Sequence, residues 1–182
     1  VTSDVDGIKV CGVLFEAGDK QSETLLKVGN EKAEVSHSDN PICFSDVYFR
    51  VGGANYKGKV KNCVTINSND VIGDNFWVWR ADHGDNVGWD MNTAPNGIVI
   101  NGDNVTMYGL FVEHFQEYQT IWNGNGGKLY FYQSEMPYDA PNQKYYMSHN
   151  GKVKGYASFK IGDEVNDFYG CGLGIYCYNR DA

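Results

Sequence analysis

Residues 109–143, GLFVEHFQEYQTIWNGNGGKLYFYQSEMPYDAPNQ, decide the fold. They carry two glutamates, Glu113 and Glu135, each at the end of an apolar or aromatic run. Leu110-Phe111-Val112 leads into Glu113-His114, and Leu129-Tyr130-Phe131-Tyr132 leads into Gln133-Ser134-Glu135. Between them Asn123-Gly124-Asn125-Gly126-Gly127 must turn, because Gly and Asn accept left-handed backbone angles at little cost. The order is strand, acid, turn, strand, acid. The 22 residues from one acid to the next match about one coil of a parallel β-helix, which brings both acids to one cleft.

Working outward, the same unit recurs weakly. Val13-Leu14-Phe15-Glu16-Ala17-Gly18, Val47-Tyr48-Phe49-Arg50-Val51-Gly52 and Phe76-Trp77-Val78-Trp79-Arg80-Ala81 precede the two runs above. Each is apolar and turns polar at its C-terminal end, and Tyr130-Phe131-Tyr132-Gln133-Ser134-Glu135 aligns as the fifth. Shorter strands are expected at Thr24–Val28, Val64–Asn67 and Gly97–Asn101, with Asn- and Asp-rich turns such as Asn67-Ser68-Asn69-Asp70 and Asn101-Gly102-Asp103-Asn104. No segment reads as a helix. A period of about 20–35 residues with two or three short strands per unit marks a solenoid. A β-sandwich also gives evenly spaced short strands. Recurrent Asn at equivalent positions favours the coil, where like residues stack about 4.8 Å apart as ladders. The fold class is therefore all-β, a right-handed parallel β-helix, in a single domain over residues 1–182. From Ala140 the pattern loosens into a loop through Pro141-Asn142-Gln143. Strands resume at Tyr156–Ile161 and Gly172–Tyr178.

Composition narrows the function classes. The 13 Tyr, 9 Phe and 4 Trp, with 22 Gly and 4 Pro, favour strands joined by tight turns. A net charge of −8 with scattered basic residues argues against nucleic acid, whose phosphates need clustered Lys and Arg. No apolar run of about 18 residues marks a membrane helix. Among Cys11, Cys43, Cys63, Cys171 and Cys177 no pair has CxxC spacing, so zinc is not expected. Cys171 and Cys177 are placed to pair, and buried thiols are the equal alternative. Asn104-Val105-Thr106 is a glycosylation sequon. The sequence begins at Val1 without Met or signal peptide and ends directly after a strand, so both ends read as cut.

The chemistry follows from the two acids. With Glu113 and Gln133 in one column, Glu135 lies two residues further along the next coil. Two residues along the strand and one coil across give a diagonal of roughly 8 Å. That lies in the ~6.5–9.5 Å window of an inverting glycosidase. Tyr130, Tyr132, Tyr138 and Trp122 are expected around this face, stacking on sugar and excluding water. Partial burial raises a carboxyl pKa, which favours Glu135 as the acid and Glu113, beside His114, as its ionised partner. The bland alternative is a pair of solvated strand-end carboxylates. In Arg80-Ala81-Asp82-His83-Gly84-Asp85, Arg80 and Asp82 either orient a substrate hydroxyl or lock the turn. His83 is either a base or a turn histidine bonded to backbone. Asp82, Asp85, Asp90 and Asp103 do not form an EF-hand loop, and no cofactor motif is present.

Several of these segments, in order, resemble glycoside hydrolase family 55. They are Trp77-Val78-Trp79-Arg80-Ala81-Asp82-His83-Gly84, Val87-Gly88-Trp89, Asn101-Gly102-Asp103-Asn104-Val105, Gly109-Leu110-Phe111-Val112-Glu113-His114, and Gln133-Ser134-Glu135 with Tyr138-Asp139-Ala140-Pro141-Asn142-Gln143. The resemblance implies a secreted, extracellular β-1,3-glucanase (laminarinase) that is exo-acting and inverting, without metal or cofactor. It implies two tandem β-helix domains in a rib-cage-like arrangement, this chain resembling the second, so a further β-helix domain or chain is an expected partner. Glu135 stands at the general-acid position. Glu113 stands at that of a glutamate helping to hold the attacking water, and His114, Asp139 and Gln143 fall in motifs expected to meet substrate. Family enzymes are several times longer, and their first domain also positions the water. A non-catalytic β-helix module, binding glycan or building an extracellular assembly, is the alternative.

Overall fold

A computed structural model describes residues 1, 5–31, 34–54 and 57–178. Nearly every element is a strand. In chain order they are β1 (Lys9–Glu16), β2 (Ser22–Val28), β3 (Ile42–Val51), β4 (Val60–Ile66), β5 (Val71–Arg80), β6 (Asn96–Ile100) and β7 (Thr106–Glu113). Then follow β8 (Thr120–Trp122), β9 (Gly127–Glu135), β10 (Met147–Ser148), β11 (Val153–Lys154), β12 (Phe159–Ile161) and β13 (Phe168–Tyr176). Strands alternate between two sheets. One has the order β1-β3-β5-β7-β9-β13, the other β2-β4-β6-β8-β12, and every neighbouring pair in both is parallel. Each coil thus gives one strand to each sheet, and the chain is a right-handed parallel β-helix, as its sequence predicts.

The larger sheet shows why these residues coil. In β3 the buried positions are Ile42, Phe44, Val47, Phe49 and Val51. The alternation skips one residue after Phe44, and the skipped position, Asp46, has φ 54°. The same skip stacks through the sheet at Asn75 (φ 56°), Gly109 (φ 64°) and Phe131 (φ 64°), with Gly12 and Gly172 at the two ends. This is a bulge column, where a left-handed residue returns the next apolar side chain to the core. Asn75 also donates to Asp46 across it at 2.7 Å.

The bulge column corrects one sequence expectation. Val13, Val47, Phe76 and Leu110 share a column as aligned, but the next member is Tyr132, not Tyr130. Phe131 occupies the bulge where a Gly, Asn or Asp was the available signal, so the fifth run was aligned two residues out of register. Glu113 therefore faces Glu135 directly, and Phe111 faces Gln133.

Asparagine ladders pin the turns. Asn101 Nδ2 donates to Asn67 Oδ1 and Asn123 Nδ2 to Asn101 Oδ1, each at 2.8 Å. A second ladder runs from backbone to side chain: Asp103 N to Asn69 Oδ1, Asn125 N to Asp103 Oδ1, and Asn166 N to Asn125 Oδ1. Between the sheets Phe44, Phe49, Phe76, Val112, Ile98 and Trp122 form the core. Among the described residues, no disulfide joins Cys171 to Cys177. The loosened segment after Glu135 holds a 3₁₀ turn, Gln143–Tyr145, and the antiparallel pair β10–β11, which the sequence reading passed over.

Candidate active site

The outer face of the larger sheet carries two neighbouring columns. One is Tyr48, Trp77, Phe111 and Gln133, and the other is Arg50, Trp79, Glu113, Glu135 and Tyr176. The strands β7 and β9 end on the two glutamates, so their carboxyls project where the sheet gives way to loops. A cleft of about 230 Å³ opens there, lined by Trp77, Trp79, Asp82, His83, Glu113, His114 and Glu135. It adjoins a groove of about 300 Å³ lined by Leu14, Tyr48, Phe49, Arg50, Trp77 and Trp79. Trp77 and Trp79 stack at 5.3 Å and wall both.

Each acid has its own partners. Trp77 Nε1 donates to Glu113 Oε2 at 2.8 Å. Gln133 Nε2 donates to Glu135 Oε1 at 3.1 Å, and the Tyr138 hydroxyl donates to Glu135 Oε2. His114 follows β7 at φ 67° while its N–H still bonds the Glu135 carbonyl at 2.8 Å. Its ring is thereby turned between Asp82 and Glu135, with Nε2 3.7 Å from a carboxylate oxygen of each. His83 Nδ1 meets Asp82 Oδ1 at 2.8 Å.

Contrary to the ionised partner expected from the sequence, burial pushes the Glu113 carboxyl above its ordinary value; the Trp77 bond opposes this, and the charges of Glu135 and Asp82 add to it. Burial would raise Asp82 as well, but the facing imidazoles of His114 and His83 outweigh it and hold that carboxyl low. Burial depresses His114, against the raising pull of its bond to Met136 and of the carboxylates. Burial, then the bond to Glu135, pushes the Tyr138 hydroxyl up.

Several expected substrate contacts prove structural. Trp122 is 0% exposed and Tyr132 1%, because both point into the coil. The Tyr132 hydroxyl meets Thr120 and Ser158 inside the core. Arg80 is 0% exposed. It holds Asp139 through two bonds of 2.9 and 2.8 Å and donates to the carbonyls of Asn92, His114 and Gly88. Arg80 and Asp139 thus tie loops together outside the cleft lining. Gln143 lies in the 3₁₀ turn, donating to the Tyr146 carbonyl, outside the cleft lining. Asp82, His83 and His114 do line the cleft, and Tyr138 reaches it through Glu135. Trp77, Trp79 and Gln133 were missed as site residues. The aligned column of Trp79 with Glu113 was the signal for one of them.

The diagonal of roughly 8 Å falls with the register: acids on facing positions of adjacent strands have backbones about 4.8 Å apart. Among the described residues no group of three or more His, Cys, Asp or Glu is arranged to hold a metal ion.

Fold and cleft together define a class: a right-handed parallel β-helix bearing paired carboxyls and tryptophans on the outer face of one sheet. The chain belongs to the LAM55 pectate lyase-like domain family, whose model matches residues 1–135. It is similar to an exo-β-1,3-glucanase of Streptomyces sp. (strain SirexAA-E / ActE), at 50% identity over 175 residues, which make up 96% of this chain and 28% of that protein. The solved structure of sacteLam55A from Streptomyces sp. SirexAA-E matches with TM-score 0.93 and 48% identity, over 98% of this chain and 32% of that one. A structure of its glutamate-to-alanine variant in complex with glucose matches equally, at TM-score 0.93. The chain therefore spans under a third of the length of these relatives. The resemblance to family 55 agrees with all three findings.

Proposed function

We propose that this chain is the acid-bearing β-helix of a secreted, exo-acting and inverting β-1,3-glucanase, resembling the second of two such domains. Glu135 is the general acid, and Glu113 helps hold the attacking water. The observation that carries the reading is the pairing of Glu113 with Glu135 on adjacent coils in a cleft walled by Trp77 and Trp79. A sugar ring stacked on those tryptophans sets a glycosidic oxygen against the carboxyls. Tyr138 and Gln133 each bond one oxygen of Glu135 and so aim it. The similarity to a protein named an exo-β-1,3-glucanase supports the substrate class.

Adjacent carboxyls, about 4.8 Å apart at their backbones, do not span a sugar and a water. The base that completes inversion then lies across the cleft, off this chain. The short spacing favours a second reading, a retaining enzyme with Glu113 as nucleophile. Against it, burial pushes the Glu113 carboxyl up, and the bond from Trp77 offsets only part of this, which disfavours the ionised form that attacks. Hydrolysis of laminarin by the whole polypeptide, followed by proton NMR, separates the readings. The α-anomer as first product is expected, and the β-anomer would establish retention. Glu135→Gln is expected to abolish turnover, and unchanged turnover would remove Glu135 as the acid.

A further inference from the structure

The ring of His114 sits at the junction of three polar groups. Its Nδ1 lies 3.1 Å from the Met136 carbonyl, which only accepts, so Nδ1 carries a proton. In neutral His114 the Nε2 lone pair then faces Asp82 Oδ1 and Glu135 Oε2. Three acceptors converge there, and a shared proton is what reconciles them. Beyond Asp82, bonded to the same Oδ1, stands His83, whose side chain is 78% exposed. The series Glu135, His114, Asp82, His83 thus runs from the cleft to open solvent.

We infer that His114 and Asp82 are positioning residues forming a proton relay that carries a proton from solvent at His83 back to Glu135 after each cleavage. The inference rests on Glu135 being the general acid. As the bond from C1 to the glycosidic oxygen breaks, Glu135 gives its proton to that oxygen and is left a carboxylate. Water oxygen bonds C1, and its proton passes to a base and then to solvent. A solvent proton entering through His83 and Asp82 reaches the bare Nε2 of neutral His114, and that Nε2–H then reprotonates Glu135, returning His114 to its Nδ1–H form. The two 3.7 Å approaches exceed a hydrogen bond. A small swing of the ring closes either one, and such contacts commonly tighten with substrate bound.

The groups facing His114 support the direction of transfer. Arg80, Asp82 and His83 come from the end of β5 and the turn after it. Glu113 comes from β7. Glu135, the Met136 carbonyl and the Tyr138 ring, 4.4 Å away, come from the end of β9 and beyond. Burial keeps His114 from retaining a proton, and the paired imidazoles keep Asp82 from doing so. The Tyr138 hydroxyl can donate to the carboxylate of Glu135 and accept from its acid form.

Two readouts on the whole polypeptide test the relay. With laminarin, His114→Ala is expected to lower kcat about tenfold or more, with KM within about twofold. Free imidazole should then raise kcat with concentration in this variant and not in the wild type. Nitrogen NMR of His114 should find the Nδ1–H tautomer and a titration midpoint that falls in both Glu135→Gln and Asp82→Asn. Full activity of His114→Ala, or a loss that imidazole leaves unchanged, overturns the relay. So does a His114 midpoint unmoved in both carboxyl variants. If Glu135→Gln hydrolyses laminarin undiminished, the acid assignment fails instead, a result distinct from each of these.

Discussion

Replacing Arg80 with Met separates a structural arginine from a substrate ligand. The substitution keeps most of the buried stem and removes the guanidinium. Asp139, whose side chain is 10% exposed, loses both its bonds, and the carbonyls of Asn92, His114 and Gly88 lose donors. Removing one partner of a buried pair costs about 3–5 kcal/mol, because the other charge is left uncompensated. With a urea slope of roughly 3 kcal/mol per molar, the midpoint falls by about 1–2 M. The assay is equilibrium unfolding in urea followed by tryptophan fluorescence, with circular dichroism as the second probe so that coincident curves establish two-state behaviour. Adding Asp139→Leu to the variant should restore at least half of the loss, since the stranded carboxylate is then gone. A cost for Arg80→Met below about 1 kcal/mol, in the range of an ordinary surface change, would refute this reasoning and return Arg80 to the list of sugar ligands.

Other outcomes follow from the same structure. Asn101→Ala breaks the ladder at its centre and strands the Asn67 acceptor; it should cost about 2–3 kcal/mol in urea unfolding, against about 1 for Asn123→Ala at the exposed end. Trp122→Ala should destabilise by about 3–5 kcal/mol, as a core cavity does, whereas Trp79→Ala should leave the urea midpoint within about 1 kcal/mol and raise KM for laminarin. Glu113 has a raised carboxyl pKa when folded, so the native state binds more protons than the unfolded one between the ordinary and the raised value. Stability therefore falls as pH rises through that window. Glu113→Gln should be more stable than wild type at pH 7, with the gain vanishing below the ordinary carboxyl value, as urea midpoints across pH would record.

The coil was legible because its signals are local and repeated. Apolar runs of similar length, Asn at successive turns and two acids one coil apart follow directly from stacking. The register of the last aligned run was not. The bulge column announces itself through Asp46, Asn75 and Gly109, but at Phe131 an aromatic residue, 58% exposed, takes the left-handed position. Tertiary pairing with Gly109 and Gly172 overrides the side chain's own preference, and nothing local marks the override. The same blindness governed the aromatic wall. Trp122 and Tyr132 look like sugar platforms beside the acids, yet each occupies an inward position of its strand. Trp77 and Trp79 lie one coil away, distant in sequence, and become neighbours of the acids only through β5–β7 pairing. Arg80 read as a polar group near the site. Its burial is set by Asn92 and Asp139, which arrive from separate loops.

The central claim is that stacked coils set Glu135 against the glycosidic oxygen of a bound β-1,3-glucan. A crystal structure of the whole polypeptide carrying Glu135→Gln, soaked with a laminari-oligosaccharide, tests it most directly. The account predicts a sugar ring over Trp77 or Trp79 and a glycosidic oxygen within hydrogen-bond distance of the amide that replaces the carboxyl. An oligosaccharide seated elsewhere, with that amide facing no glycosidic oxygen, would contradict it.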